Sequence, residues 1–390
     1  MLSPTAELQA LRAEFDPWYR ELGADHLAYD RDAAFPAEKW ELVRRSGLLR
    51  LPFDPRWGGR GLDLPSTMYV LEGLGAGCRD GGLSFSVSTH IVSTGVPLHR
   101  FGSDELKARY LPGVCDGTAI GAHAITDPGG GSDVLAMGMT AKADGDYWRL
   151  DGEKAFVTNG PIASILVVYA VTDRALGPFG LTAFLVERDT PGLLVGPQTP
   201  TMGLRTAPLG EVSFQDCRVP AASVLGRTGL GFTVLDHVMK WEILCSFIIN
   251  VGEMRHRLAR CLDYAKERSS FGRPIGSYQS VANHIVDMKI GVETASRLLY
   301  DAAIAFVNGA DVTTDVALAK LVASEANVRS ALAAVQIFGG RGYLTETGLE
   351  KDLRDAVGGT IYSGTSEIMR TRIARMLGLA GPQREKGEPR

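Results

Sequence analysis

Residues Asp144–Val171 read DGDYWRLDGEKAFVTNGPIASILVVYAV. After the turn pair Asp144-Gly145 come short β-branched and aromatic runs, Tyr147–Leu150, Ala155–Thr158 and Ile165–Val171, set apart by Gly, Asn and Pro. Runs of that length with that punctuation predict strands. The texture holds from about residue 118 to 224, with further runs at Leu181–Val186 and Glu211–Phe214, and reads as a compact antiparallel β domain. Outside it the pattern is helical. From Thr5 to Leu111 apolar residues return every three or four positions, interrupted at Pro36, Pro52–Pro55, Gly58–Gly61 and Pro97. Beyond Gly226, Gly229 and Gly231 the period resumes, as in Ile285, Met288, Val292, Ala295 and Leu299, and runs to Leu379. Helices, then strands, then helices exclude a doubly wound sheet, in which the two must alternate. The glycines agree, because Gly73, Gly75 and Gly77 lack the third spacing of a dinucleotide fingerprint and no phosphate-loop pattern occurs. The expected fold is mainly α with a central β domain. Its parts are an N-terminal helical domain at 1–117, a middle β domain at 118–230, a helical bundle at 231–380 and a polar, frayed tail at 381–390.

Composition narrows the function. A chain of 390 residues, 45% hydrophobic and 22% charged, can bury a sizeable core. Its 45 acidic and 41 basic residues give a net charge of −4 without a basic block, which argues against a nucleic-acid partner. The longest apolar runs, Ile165–Ala170 and Ile243–Val251, fall short of the roughly 20 residues that span a bilayer, so no membrane partner is expected. Glu7, Glu14 and Asp16 interrupt an N-terminus with no basic start, unlike a signal peptide, and a cytoplasmic location is expected. Five scattered cysteines without C-x-x-C read as reduced core thiols, and seven histidines without ligand spacing imply no metal.

Five segments then follow in order: Ala122–Val134 (AHAITDPGGGSDV), Phe156–Gly160 (FVTNG), Glu267–Ile275 (ERSSFGRPI), Gln336–Tyr343 (QIFGGRGY) and Ile361–Ile368 (IYSGTSEI). Singly each is a common pattern. Together they resemble the acyl-CoA dehydrogenase superfamily. The resemblance implies an N-terminal helical domain, a middle β domain and a C-terminal four-helix bundle, with FAD between the last two and a homo-oligomer, usually a tetramer. Position by position it implies a cofactor shell that begins with His123, Ile125, Thr126, Gly131 and Ser132, whose glycines let backbone amides approach an anion. Phe156 would pack on the isoalloxazine and Thr158 would reach its N5 edge. Arg268, Phe271 and Gln279 would serve a neighbouring subunit's FAD, Gln336, Gly339 and Gly340 its adenosine end, and Thr365 and Glu367 the helix start that faces the cofactor.

The chain departs from the family pattern at the base. Most members carry a glutamate immediately before Gly-Thr-Ser; here the run is Tyr362-Ser363-Gly364-Thr365, and a serine hydroxyl is far too weak a base near neutral pH. A minority of the family, including isovaleryl-CoA dehydrogenase-like enzymes, places it on the preceding long helix, at a position that aligns with Glu242. The residues alone single out Glu242 as well: on a helix from Gly231 it shares a face with Leu235, Val238, Met239, Cys245, Ser246 and Ile249. Burial in such a stripe is expected to raise its pKa. In the family that the chain resembles, the residue after this glutamate is often an arginine that contacts the pantetheine of CoA; here it is Ile243. Trp241-Glu242-Ile243, Gly82–Ser86, Pro97–Ser103, Gly160–Ala163 and Gln279–Asn283 resemble the prolyl-carrier-protein dehydrogenases of pyrrole-forming pathways.

The implied chemistry is α,β-desaturation of an acyl thioester, with Glu242 as base and the substrate lined by Trp241, Ile243 and the backbone N–H of Ser363. The thioester would arrive on a carrier protein, best an L-prolyl group, or on CoA. Electrons would leave to an electron-transfer flavoprotein or to oxygen. Three other readings stand at this point: a short- or branched-chain acyl-CoA dehydrogenase, a flavin monooxygenase on the same fold, which needs no buried carboxylate base, and a flavin-free interaction subunit.

Overall fold

The computed structural model of the protein describes residues 5–379; the expected tail at 381–390 lies outside the described residues. The first part is helical: α1 (Ala6–Ala13), α2 (Asp16–Leu22), α3 (His26–Asp32), α4 (Ala37–Ser46), α5 (Leu64–Cys78), α6 (Gly81–Ser88), α7 (Val96–Phe101) and α8 (Asp104–Asp116). Four of these begin on side chains that accept a free amide: Thr5 from Leu8, Asp63 from Ser66, Asp80 from Leu83 and Ser103 from Leu106. Between α6 and α7 the chain widens into a π-helical turn, Thr89–Gly95, all of it buried. Such turns favour functional sites, since the added residue re-aims a side chain.

The middle part is a sheet of β1 (Gly121–Ala124), β2 (Thr140–Asp144), β3 (Tyr147–Thr158), β4 (Ile165–Val171), β5 (Leu181–Glu187), β6 (Leu193–Gln198) and β7 (Leu209–Pro220). The strand order is β1-β4-β2-β3-β7-β6, with β5 on the other edge of β4. Hairpin-type pairs such as β2–β3 and β4–β5 are antiparallel as expected, but β1–β4 and β2–β4 are parallel. The sheet is therefore mixed rather than antiparallel throughout. Turn residues report the short hairpins; the long crossover of residues 125–164, which returns the chain beside β1, leaves no such local mark. β3 carries a bulge between Lys154 and Val157, where Phe156 takes φ 56°.

The last part holds α9 (Gly231–Glu267), a small hairpin of β8 (Ser269–Ser270) and β9 (Arg273–Pro274), α10 (Gln279–Val307), α11 (Thr313–Phe338), α12 (Leu349–Gly358) and α13 (Ser366–Met376). α9, α10 and α11 pack on one another, and the short α12 and α13 both lie on α11. α9 also lies along α5, so close that a Cβ at Gly75 would sit 2.0 Å from the carbonyl oxygen of Ile249 and one at Gly252 2.1 Å from that of Glu72. Gly75 thus serves helix contact, which brings α9 against the first domain and the π turn. All five cysteines are free and buried, no helix among the described residues is long and apolar enough to cross a membrane, and none of their acidic, His and Cys side chains form a metal-binding group.

Candidate active site

Glu242 projects from the fourth turn of α9, where Leu235, Val238, Cys245, Ser246 and Ile249 of its stripe are buried. Its side chain is 15% exposed, so the carboxylate lies in the wall and still meets the site. Three groups from distant parts of the chain converge on it. Ser363 Oγ donates to Oε1 at 2.5 Å, Ser93 Oγ of the π turn donates to Oε2 at 2.9 Å, and His123 Nδ1 of β1 stands 3.6 Å from Oε2. His123 Nε2 in turn lies 3.1 Å from Tyr169 Oη.

The sequence argument for a raised Glu242 pKa is corrected by this geometry. Burial does push it up, but the His123 ring beside it and the hydrogen bonds from the Ser363 and Ser93 hydroxyls outweigh burial and hold the carboxyl below the usual carboxylate range. The apolar stripe reports the desolvation; it carries no trace of donors arriving from other elements. At neutral pH the group is an anion, able to take a proton.

An aromatic cluster lies near Glu242. Tyr362 packs against Phe85 at 4.6 Å and Phe247 at 5.4 Å between ring centroids, and its hydroxyl reaches Asn250 Oδ1 at 3.3 Å. Ser363 has φ 55°, a left-handed turn that lets its hydroxyl reach α9. Trp241 is half-buried, while Ile243 is 2% exposed and packs in the core.

The glycine segment after β1 is held from below by a buried ion pair. Lys154 Nζ reaches Asp127 Oδ1 at 2.7 Å and the Ile125 carbonyl at 2.8 Å, while Asp127 also accepts the amides of Gly138 and Met139. Burial lowers the Lys154 pKa to about 8 against the pull of Asp127. Sequence reading missed both residues; a lysine inside an alternating strand, with its neighbour Ala155 also buried, was the available signal. Above this anchor Gly130 and Gly131 are exposed, a Cβ at Gly130 would meet nothing within 4 Å, and the hydroxyls of Thr126 and Ser132 have no partner among the described residues. Phe156 stands 69% exposed off the β3 bulge, beside half-buried Thr158. An exposed glycine backbone, free hydroxyls and a bare aromatic face fit an extended dinucleotide with a flat ring system.

The remaining shell residues lie on the C-terminal part. Arg268 closes α9 just before β8, Phe271, 95% exposed, lies in the turn of the β8–β9 hairpin, and Gln279 opens α10. Gln336, Gly339 and Gly340 are exposed where α11 ends, and Thr365 caps α13 through the Ile368 amide with exposed Glu367 beside it. One chain leaves Phe271 bare. Ile125 is half-buried under the glycine segment, and the ring of His123 is engaged by Glu242 and Tyr169.

Comparison with known proteins places this geometry. Residues 5–118 match the acyl-CoA dehydrogenase N-terminal domain, 122–217 its middle domain and 229–378 its C-terminal domain. The chain is 40% identical over 359 residues to an L-prolyl-[peptidyl-carrier protein] dehydrogenase of Pseudomonas fluorescens, covering 92% of this chain and 93% of that protein. Among solved structures, the prolyl acyl carrier protein oxidase AnaB superposes with a TM-score of 0.94 at 40% identity, covering 97% of this chain and all 100% of AnaB. PigA with FAD and proline superposes with 0.95 at 36% identity, covering 98% and 100%. With all three domains matched in order around a held carboxylate, the chain belongs to the acyl-CoA dehydrogenase family.

Proposed function

We propose that the protein is an FAD-dependent acyl-thioester dehydrogenase that oxidises a carrier-protein-bound L-prolyl group toward the pyrrolyl level, and that Glu242 is its base. The observation that carries the reading is the carboxylate of Glu242 held as an anion by Ser363, Ser93 and His123 near an aromatic cluster. The substrate rests on similarity, over nine tenths of the chain, to a protein named for prolyl-carrier dehydrogenation. A flavin monooxygenase would have no use for so well held a base.

FAD supplies the acceptor for the hydride that leaves the β-carbon, and the protein does the rest. Thr126, Gly131 and Ser132 bind the cofactor's phosphates and ring edge, Phe156 and Thr158 its flavin, and Arg268, Phe271 and Gln279 complete the shell of a neighbouring subunit in a homotetramer, with Gln336, Gly339 and Gly340 at the adenosine end. Thr365 and Glu367 fix the start of α13. Glu242 takes the α-proton, and the Ser363 N–H polarises the thioester carbonyl. Tyr362 and Phe85, half-buried and with Tyr362 packed on the core ring of Phe247, would limit the length of the acyl chain and keep water from the reacting carbons. Between the two oxidations Glu242 would have to release its proton and the electrons would leave to an electron-transfer flavoprotein or to oxygen, after which the same base could serve the second.

The test is single-turnover loss of oxidised-flavin absorbance with prolyl thioester on a carrier protein against prolyl- and butyryl-CoA at matched concentration. Reduction by the carrier-bound prolyl group at least tenfold faster supports the proposal; equal or faster reduction by an acyl-CoA overturns the carrier assignment.

A further inference from the structure

His123 and Tyr169 sit side by side because β1 and β4 run parallel. His123 pairs with Val167, so Tyr169, two residues on, faces the same side of the sheet. Both side chains are closed off from solvent: His123 is 4% exposed and Tyr169 0%. Among the described residues Tyr169 Oη meets no polar group other than His123 Nε2, at 3.1 Å.

A neutral imidazole has one donor and one acceptor, and which nitrogen donates is set by the partners. On one side stands a carboxylate, which only accepts; on the other stands a phenol with no other group to receive its hydrogen. Every polar atom is satisfied by a single arrangement, in which Tyr169 donates to Nε2 and Nδ1–H points at Oε2 of Glu242. The 3.6 Å gap to Oε2 is longer than a full hydrogen bond, as is common before substrate tightens a site.

We propose that His123 is a positioning residue for the base: Tyr169 locks it in the Nδ1–H tautomer, and that N–H holds the Glu242 carboxylate as an oriented anion. The inference rests on Glu242 being the base. It explains a histidine and a tyrosine spent in the interior of two short strands, which sheet packing does not require. The groups facing Glu242 are His123 from β1, Tyr169 behind it from β4, Ser93 from the π turn, and Ser363 and Tyr362 from the loop before α13. Glu253, one helical stretch along α9, acts on Tyr362, whose hydroxyl is held protonated by burial, then by Glu253 and Glu242. His123 is the one nitrogen donor among them.

The experiment combines two readouts on the holoenzyme. In protein labelled with 15N-histidine, the His123 signals, assigned by their loss in His123→Asn, should show hydrogen on Nδ1 and a bare Nε2. In parallel, the pH dependence of single-turnover flavin reduction is measured for His123→Phe, His123→Asn and Tyr169→Phe. Removing the donor with His123→Phe should move the acid limb up by about one pH unit, a loss of about tenfold on that limb, the size expected for a hydrogen bond to a charged group. His123→Asn, whose amide nitrogen falls near Nδ1, should return the limb toward its original position. Tyr169→Phe frees the ring to carry hydrogen on Nε2, so the limb should again rise. An Nε2–H tautomer in the unaltered enzyme, or an acid limb unmoved in His123→Phe, overturns the proposal. If Glu242→Gln instead reduces its flavin as fast as the parent, the base assignment itself has failed, which is a separate outcome.

Discussion

Ser363 Oγ stands 2.5 Å from Glu242 Oε1, although the two residues are 121 positions apart. The position immediately before Gly364-Thr365 therefore carries a donor, and it serves a carboxylate that α9 supplies. A lowered pKa means that Glu242 is an anion above its folded value and gains a proton only as pH falls through that value. Ser363→Ala removes a donor to the anion, so the acid limb of flavin reduction should rise by about one pH unit. Ser363→Glu should raise it further, because two carboxylates at this distance share one proton. A pH profile of the half-reaction checks both, and an unmoved limb in each would refute the role of Ser363.

Lys154 and Asp127 form the buried pair beneath the glycine segment. Lys154→Met leaves the part-buried Asp127 its two backbone amide donors but no cation, which should destabilise the protein by about 1–3 kcal/mol. Calorimetry of the FAD-loaded protein should show a lower midpoint, and FAD should dissociate faster because the loop has lost its anchor.

Phe156 is 69% exposed and held at φ 56°, a conformation a bulky side chain adopts only under constraint. Phe156→Gly removes the backbone strain and adds freedom to the unfolded chain, two effects of opposite sign, so stability without FAD should change by less than about 1 kcal/mol. FAD retention should fall by about tenfold or more, since the aromatic face is gone. Calorimetry of apoprotein with equilibrium FAD titration separates the two; undiminished FAD affinity would contradict the placement of Phe156.

Much of this was legible in the sequence for physical reasons. The switch from a period of three or four to short β-branched runs and back gave the helix, strand and helix order, because those periods are set by backbone geometry. Glu242 stood out because a carboxylate in the stripe of Val238, Cys245 and Ile249 must be buried. What stayed hidden depends on long-range closure. Ser93 reaches Glu242 across 149 residues and through a π turn, His123 does so through a parallel strand pair, and Tyr169 sits in a run, ILVVYAV, that reads as plain strand core. The direction of the Glu242 pKa followed from those partners and so could not be read from its own helix.

The base assignment is tested most directly by stopped-flow flavin reduction in Glu242→Gln with a prolyl thioester on its carrier protein. The amide keeps the size of the carboxylate but cannot take the α-proton, so the rate should fall by about 10²–10⁴-fold or more while FAD remains bound. Reduction at the parent rate would show that the proton goes elsewhere and would contradict the account.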